Sequence, residues 1–354
     1  MKIFLITQFL SNLGGCERFV VNLAVLLHQC GHDVQLAIAE PNVLPHWREE
    51  LNIVNFRLLT EGTAEEQANE VYRFVTAFQP DVVHAIPYES VAFALVRKYP
   101  ELPLVATEPS NGSESCGWWY SGETLRSVIN MFPFIHVFSE TAKRNLISEY
   151  NYGGGLCRLF PPARLDFHAP YWSRRIPANK VMFMGRLSGE KGLEFLINCF
   201  NRQPDLSIEL HLYGDGPLRN KIEAKSKKQK NRVIFHGRYE PHEIDYGEYD
   251  VLVIPSLFEG LPYVFLEALH AGIPVIFSRV GGMWDSVRGT SIDNSFDRED
   301  EAGLRACITS LYQTFGQQAE LAPIRRKLVR GLTHADDPAK PYLECYKSAL
   351  DAMI

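Results

Sequence analysis

Residues 250–276 read DVLVIPSLFEGLPYVFLEALHAGIPVI, and the way this stretch must fold decides the architecture. Its first part, VLVIP, is an apolar run of buried-strand length, and PVIF at its end is another. Between them lies a helix, because Pro262 suits a first-turn position and Gly272 and Pro274 stop the run. The unit is strand, loop, helix, strand. In a parallel sheet this crossover puts the loop and the helix N-terminus at the carboxyl edge of the strands, where open α/β sheets bind ligands.

Two acids punctuate the unit. Glu259 falls in the loop before the helix and Glu267 eight residues later, roughly 12 Å of rise if one helix carried both. Because Glu259 precedes the helix the separation is shorter, and both carboxylates are expected to flank one elongated ligand. The N–H groups around Gly260 and Leu261 are left free at the helix start and, with the positive end of the dipole, form an anion seat. An anion held between hydroxyl-seeking carboxylates describes a nucleotide sugar. Taken singly, each glutamate also reads as an ordinary first-turn or solvated helix acid.

The segment EGLPYVFLEALHAGIPVI resembles the E-x7-E segment of family 4 glycosyltransferases, and three further stretches match in order. They are LGGCE at 13–17, FMGRLSGEKG at 183–192, and YGDGPL at 213–218 followed by FHG at 235–237. The resemblance implies an α/β protein of GT-B type, with two Rossmann-like domains facing across a cleft and a C-terminal helix crossing back to the first. The expected domains are 1–168 with the returning helix 338–354, and 178–337. The resemblance further implies that Gly14 and Gly15 lie near donor phosphate and acceptor, and that Arg186 and Lys191 hold the diphosphate. It gives Glu259 with the Gly260 and Leu261 backbone the transferred sugar, Glu267 the ribose, and Tyr239 the nucleobase.

Composition supports this class. A chain of 354 residues with 46% hydrophobic content is long enough for two α/β cores. A net charge of −6 argues against a general nucleic-acid binder. The seven cysteines are scattered without a C-x-x-C pair, and read as small buried residues of a reducing compartment rather than disulfides or a zinc site. MKIFLITQFL is too short and too soon interrupted for a signal peptide, and no apolar run has membrane-spanning length. A cytoplasmic chain is expected, with peripheral contact at the inner face of the membrane left open.

Elsewhere the pattern departs from the family. Its members often carry a histidine two residues beyond His84, where this chain has Ile86, so His84 reads as a satisfied core histidine. Glu108 ends the strand LPLVATE and is a candidate acceptor-orienting or base-like residue, or equally a loop acid used as a cap. Trp118, Trp119 and Tyr120 suit stacking on an acceptor sugar, gripping a lipid interface, or loop packing. The Gly- and Pro-rich stretch 152–173 reads as a linker, where Ala163-Arg164-Leu165-Asp166 replaces the family's Asn-Gly-Val-Asp.

The expected activity is transfer of a sugar, with retention, from a UDP- or GDP-sugar to a hydroxyl of a glycan or lipid-linked glycan. No metal or further cofactor is expected, since fixed cations and a helix N-terminus can stabilise the leaving diphosphate. Two alternatives are a sugar-nucleotide epimerase of GT-B type and a non-catalytic sugar-nucleotide-binding protein. An NAD dehydrogenase fits less well, because LGGCE lacks the third glycine of G-x-G-x-x-G.

Overall fold

A strand covered on both faces needs apolar side chains at every position, and KIFLIT, KVMFM and VLVI have that character. A computed structural model describes residues 1–110, 126–162, 172–202, 208–226, 232–240 and 243–353. Tertiary contacts divide the chain into two units, Met1–Ala163 with Thr333–Ile354, and Arg164–Leu332.

The first unit carries β1 (Lys2–Thr7), β2 (Asp33–Ile38), β3 (Asn55–Leu58), β4 (Val82–Ala85), β5 (Leu104–Glu108), β6 (Phe134–Val137) and β7 (Gly155–Arg158). They pair in parallel in the order β3-β2-β1-β4-β5-β6-β7. The second carries β8 (Lys180–Met184), β9 (Glu209–Tyr213), β10 (Val233–Gly237), β11 (Val251–Ile254), β12 (Val275–Ser278) and β13 (Ser295–Phe296), ordered β10-β9-β8-β11-β12-β13 and again parallel. Each order reverses once, between β1 and β4 and between β8 and β11. Right-handed crossovers on either side of a reversal send helices to opposite faces, leaving a crevice at the carboxyl ends of the two central strands.

Two expectations need correction. The stretch 152–173 is not wholly linker, because β7 lies inside it and pairs with β6. Gly155 makes that pairing possible, since a Cβ there would overlap the Phe134 ring. The cysteines are free as expected among the described residues, but Cys30 is exposed, so burial does not account for all of them.

The C-terminal helix Lys340–Met353 packs within the first unit through Tyr342, Cys345, Tyr346 and Ala349. Tyr342 Oη donates to the Phe160 carbonyl at 2.6 Å. Deeper in, a chain of side chains has a fixed polarity. The Leu159 carbonyl can only accept, so His136 Nε2, 3.3 Å away, carries its proton and Nδ1 accepts. Thr107 Oγ1 therefore donates to His136 Nδ1 at 3.0 Å and accepts from His84 Nε2 at 2.7 Å. His84 Nδ1 is left to accept from Tyr346 Oη at 2.8 Å. Burial holds both imidazoles neutral, pushing His136 down to about 4 and His84 well below its ordinary value. His84 is thus a satisfied core histidine, and Ile86 beside it is wholly buried, its N–H on the Ile6 carbonyl at 2.8 Å.

In the second unit the helix Tyr263–Ala271 ends at Gly272, in the left-handed region at φ +89°. The helix Gln318–Leu332 packs along it and inserts Arg325, 1% exposed, at that end. Arg325 Nη1 donates to the Gly272 carbonyl at 3.0 Å and to the Gln318 carbonyl at 3.1 Å. A cation there complements the helix dipole and satisfies buried carbonyls. Burial lowers the guanidinium to about 9, so it stays charged at neutral pH. Arg325→Ala is expected to cost about 3 kcal/mol, because it orphans several buried acceptors at once. Urea denaturation measures it, and a loss below about 1 kcal/mol would contradict this role.

Candidate functional site

The crevice between β8 and β11 is built by backbone that comes too close for side chains. Gly192 adopts φ +65°, and a Cβ there would strike the Pro255 carbonyl. Gly281, at φ +51°, is pressed against the Glu259 carbonyl in the same way, and Gly214, at φ +128°, against that of Gly185. Leu257 N donates to the Glu190 carbonyl at 2.8 Å and Leu187 N to that of Asp215 at 3.0 Å. The loops after β8, β9, β11 and β12 therefore nest into one surface at the carboxyl edge of the second sheet.

That nesting brings Lys191 and Glu259 together. Lys191 Nζ lies 2.7 Å from Glu259 Oε1, the two side chains being 26% and 10% exposed. Ser256 Oγ donates to the same oxygen at 2.8 Å, so both restraints act on Oε1. Arg186, on the same loop as Lys191, is exposed, and its guanidinium has no partner among the described residues. The Gly260 and Leu261 N–H groups, just before the helix Tyr263–Ala271, also lack partners among the described residues. Pro262 caps that helix without a side-chain hydrogen bond, and Glu267 lies on it, 3% exposed. Tyr239 follows β10, its ring 5.8 Å edge-on from that of Tyr213. Two cations, free N–H groups and two acids on one unit form a surface able to hold a dianion and hydroxyls together.

Gly14, Gly15 and Glu108 belong to the first unit. Gly14 is the N-cap of the helix Gly15–Gln29, and Gly15 has open space where a Cβ would stand. Glu108 is 5% exposed and already engaged, its Oε2 by Tyr88 Oη and its Oε1 by the N–H and hydroxyl of Ser110. Its carboxylate orders this turn, as a loop acid does. Trp118, Trp119 and Tyr120, and the departure at 163–166, lie outside the described residues.

A feature of the first unit escaped the sequence reading. Glu89 sits at the N-cap of the helix Ser90–Lys98 but makes no capping hydrogen bond, and it is only 7% exposed. Burial, reinforced by the charges of Glu40 and Glu17, pushes its carboxyl up to about 8. No motif marks it; the pairing of β4 with β1, strands not adjacent in sequence, makes it central.

Two expectations follow. Gly192→Ala should cost about 2 kcal/mol or more, combining left-handed strain with the Pro255 contact, while Gly189→Ala, in open space, should change stability by under about 1 kcal/mol. Equal effects in denaturant titrations would contradict the close approach. A carboxyl whose folded pKa is raised stabilises the fold less as pH climbs from its unfolded value, near 4.5, to about 8. The Tm of Glu89→Gln minus that of the unaltered chain should therefore grow across that window and level off above it. A difference that does not vary with pH would contradict burial as the cause.

Among the described residues no group of three or more His, Cys, Asp or Glu could hold a metal ion, and no helix is long and apolar enough to cross a membrane. Comparison with known proteins adds relationship to this geometry. Residues 13–163 match the family model described as Glycosyltransferase Family 4, and residues 178–314 match that described as glycosyl transferases group 1. The chain is 33% identical over 143 residues to the O-antigen biosynthesis glycosyltransferase WbnH of Escherichia coli, a match that spans only 40% of either chain. It is 28% identical over 319 residues to the lipopolysaccharide core biosynthesis glycosyltransferase LpsD of Rhizobium meliloti, covering 84% of each. Among solved structures, Anabaena HepE in complex with UDP and glucose shares the fold with a TM-score of 0.79 at 17% identity, over 98% of this chain and 99% of that one. With a glycosyltransferase family model over each half and GT-B neighbours along its whole length, the chain belongs to the family 4 glycosyltransferases and has the GT-B fold.

Proposed function

We propose that this glycosyltransferase moves a hexosyl group, with retention and without a metal, from a UDP- or GDP-sugar to a hydroxyl of a glycan or lipid-linked glycan. The observation that carries this reading is the Lys191–Glu259 pair beside the free Gly260 and Leu261 N–H groups. Lys191 and Arg186 would neutralise the diphosphate as the glycosidic bond to it breaks, helped by the N-terminus of the helix Tyr263–Ala271. Glu259, with Oε1 restrained, would turn Oε2 toward a hydroxyl of the transferred sugar. Glu267 would hold the ribose hydroxyls, Tyr239 the base, and Gly14 with Gly15 would let substrate approach bare backbone. In a same-face displacement the leaving phosphate oxygen can take the acceptor's proton, so Glu108, already engaged, need not act as a base. The UDP and glucose complex of HepE supports a UDP-sugar donor, and the polysaccharide roles in the names of WbnH and LpsD support a glycan acceptor. Such an acceptor, if lipid-linked, would bring a cytoplasmic enzyme to the inner face of the membrane.

A thermal-shift panel of UDP-, GDP- and ADP-sugars identifies the donor, since a ligand of the native state raises its apparent stability. With that donor, Glu267→Ala should weaken binding about tenfold or more by calorimetry. Lys191→Ala should mainly lower kcat, by about a hundredfold. Transfer should persist in EDTA. Unchanged binding and turnover in both variants would overturn the site.

A further inference from the structure

The seven cysteines are scattered along the sequence, but the fold brings two of them into contact. Cys157 lies on β7, the edge strand of the first sheet, and Cys345 on the C-terminal helix Lys340–Met353. That helix approaches β7 to within 8 Å between Cα atoms, and the Cys345 thiol hydrogen-bonds to the Cys157 sulfur. Neither cysteine is in a disulfide; Cys345 is buried and Cys157 half-buried. The pair runs beside the hydrogen-bond chain from Tyr346 to the Leu159 carbonyl, since Cys345 precedes Tyr346 and Cys157 stands in register with His136.

Two thiols in contact, one accessible and one sheltered, divide the work of a redox couple: the accessible sulfur meets the oxidant and the sheltered one resolves it. We propose that Cys157 and Cys345 are a redox pair that a peroxide converts into a disulfide, stapling the C-terminal helix to β7. The hydrogen bond from Cys345 holds the Cys157 thiol below its ordinary range; burial opposes this and the Lys143 ammonium reinforces it, so Cys157 supplies the thiolate. Cys345, pushed up by the same hydrogen bond and by burial, keeps its proton. The Cys157 thiolate attacks one peroxide oxygen and the O–O bond breaks. Cys157 becomes a sulfenic acid, and the departing hydroxide takes up the proton that Cys157 had released. The Cys345 sulfur then attacks the Cys157 sulfur, the S–O bond breaks, and hydroxide leaves with the Cys345 proton as water. Two thiols lose two electrons and one peroxide becomes two waters. A dithiol reductant restores both thiols by exchange. The bridge closes a loop that contains the whole second unit, Arg164–Leu332, so it constrains the unfolded chain more than a short bridge would. It does not depend on the proposed transfer reaction.

The test oxidises the full chain with hydrogen peroxide, blocks the remaining thiols with N-ethylmaleimide and digests it with trypsin. Mass spectrometry should find the peptide of Cys157 joined to that of Cys345, and dithiothreitol should separate them. In thermal denaturation the oxidised chain should melt about 3 °C or more above the reduced one. Cys157→Ser and Cys345→Ala should each abolish both the joined peptide and the rise in Tm. Cys157→Ser, at the half-buried position, carries the comparison if Cys345→Ala does not fold. Cys30→Ser, which changes an exposed cysteine, should leave both effects intact. The inference is overturned if the two peptides are never joined, if joining them leaves the Tm unchanged, or if the rise survives in Cys157→Ser or is lost in Cys30→Ser.

Discussion

Backbone packed against backbone at Gly192 and Pro255 is the constraint on which the second unit's chemistry depends. The loop after β8 and the loop after β11 leave neighbouring strands, and only a residue without a Cβ, in the left-handed region, lets them touch. Once they touch, Lys191 and Glu259 meet at 2.7 Å without reaching across solvent, and Ser256 fixes the same carboxylate oxygen from the other side. Gly281 repeats the device one strand further on. An ion pair held by rigid loops loses less side-chain entropy than a surface pair does, so it can serve as a preorganised seat rather than a stabiliser.

Both units follow one topological plan and put it to different chemical use. In the second, the switch point presents cations, N–H groups and acids together. In the first, the ordering is carried by the one-way hydrogen-bond chain from Tyr346 through His84, Thr107 and His136 to the Leu159 carbonyl. Because each member of that chain has one permitted donor direction, it fixes how the C-terminal helix sits on the first sheet. His84, both of whose ring nitrogens are engaged, is consumed in that role.

Much of this was legible in the amino-acid sequence where a single local signal sufficed. Apolar runs gave the central strands, Gly272 and Pro274 ended the helix bearing Glu267, and the spacing around Glu259 carried the family resemblance. The strands β3 and β7 were not legible, since short edge strands lack a continuous apolar run and β7 starts in three glycines. The helix Gln318–Leu332 was obscured by Pro323 within it, which normally ends a helix. The two readings of Glu108 stayed open in the sequence because its partner Tyr88 comes from the loop after a different strand. Glu89 is harder still: it follows β4, which pairs with β1 although the two are far apart in sequence, and no property of residues 86–92 announces its burial.

The central claim is that the loops meeting at Gly192 and Pro255 form the seat of a nucleoside diphosphate. A crystal structure of the full chain with the bound donor nucleotide tests this most directly. The account predicts diphosphate oxygens within hydrogen-bonding distance of Lys191 Nζ and the Gly260 and Leu261 N–H groups, with the ribose against Glu267. A nucleotide bound elsewhere, with Lys191 and Glu259 paired and untouched, would contradict it.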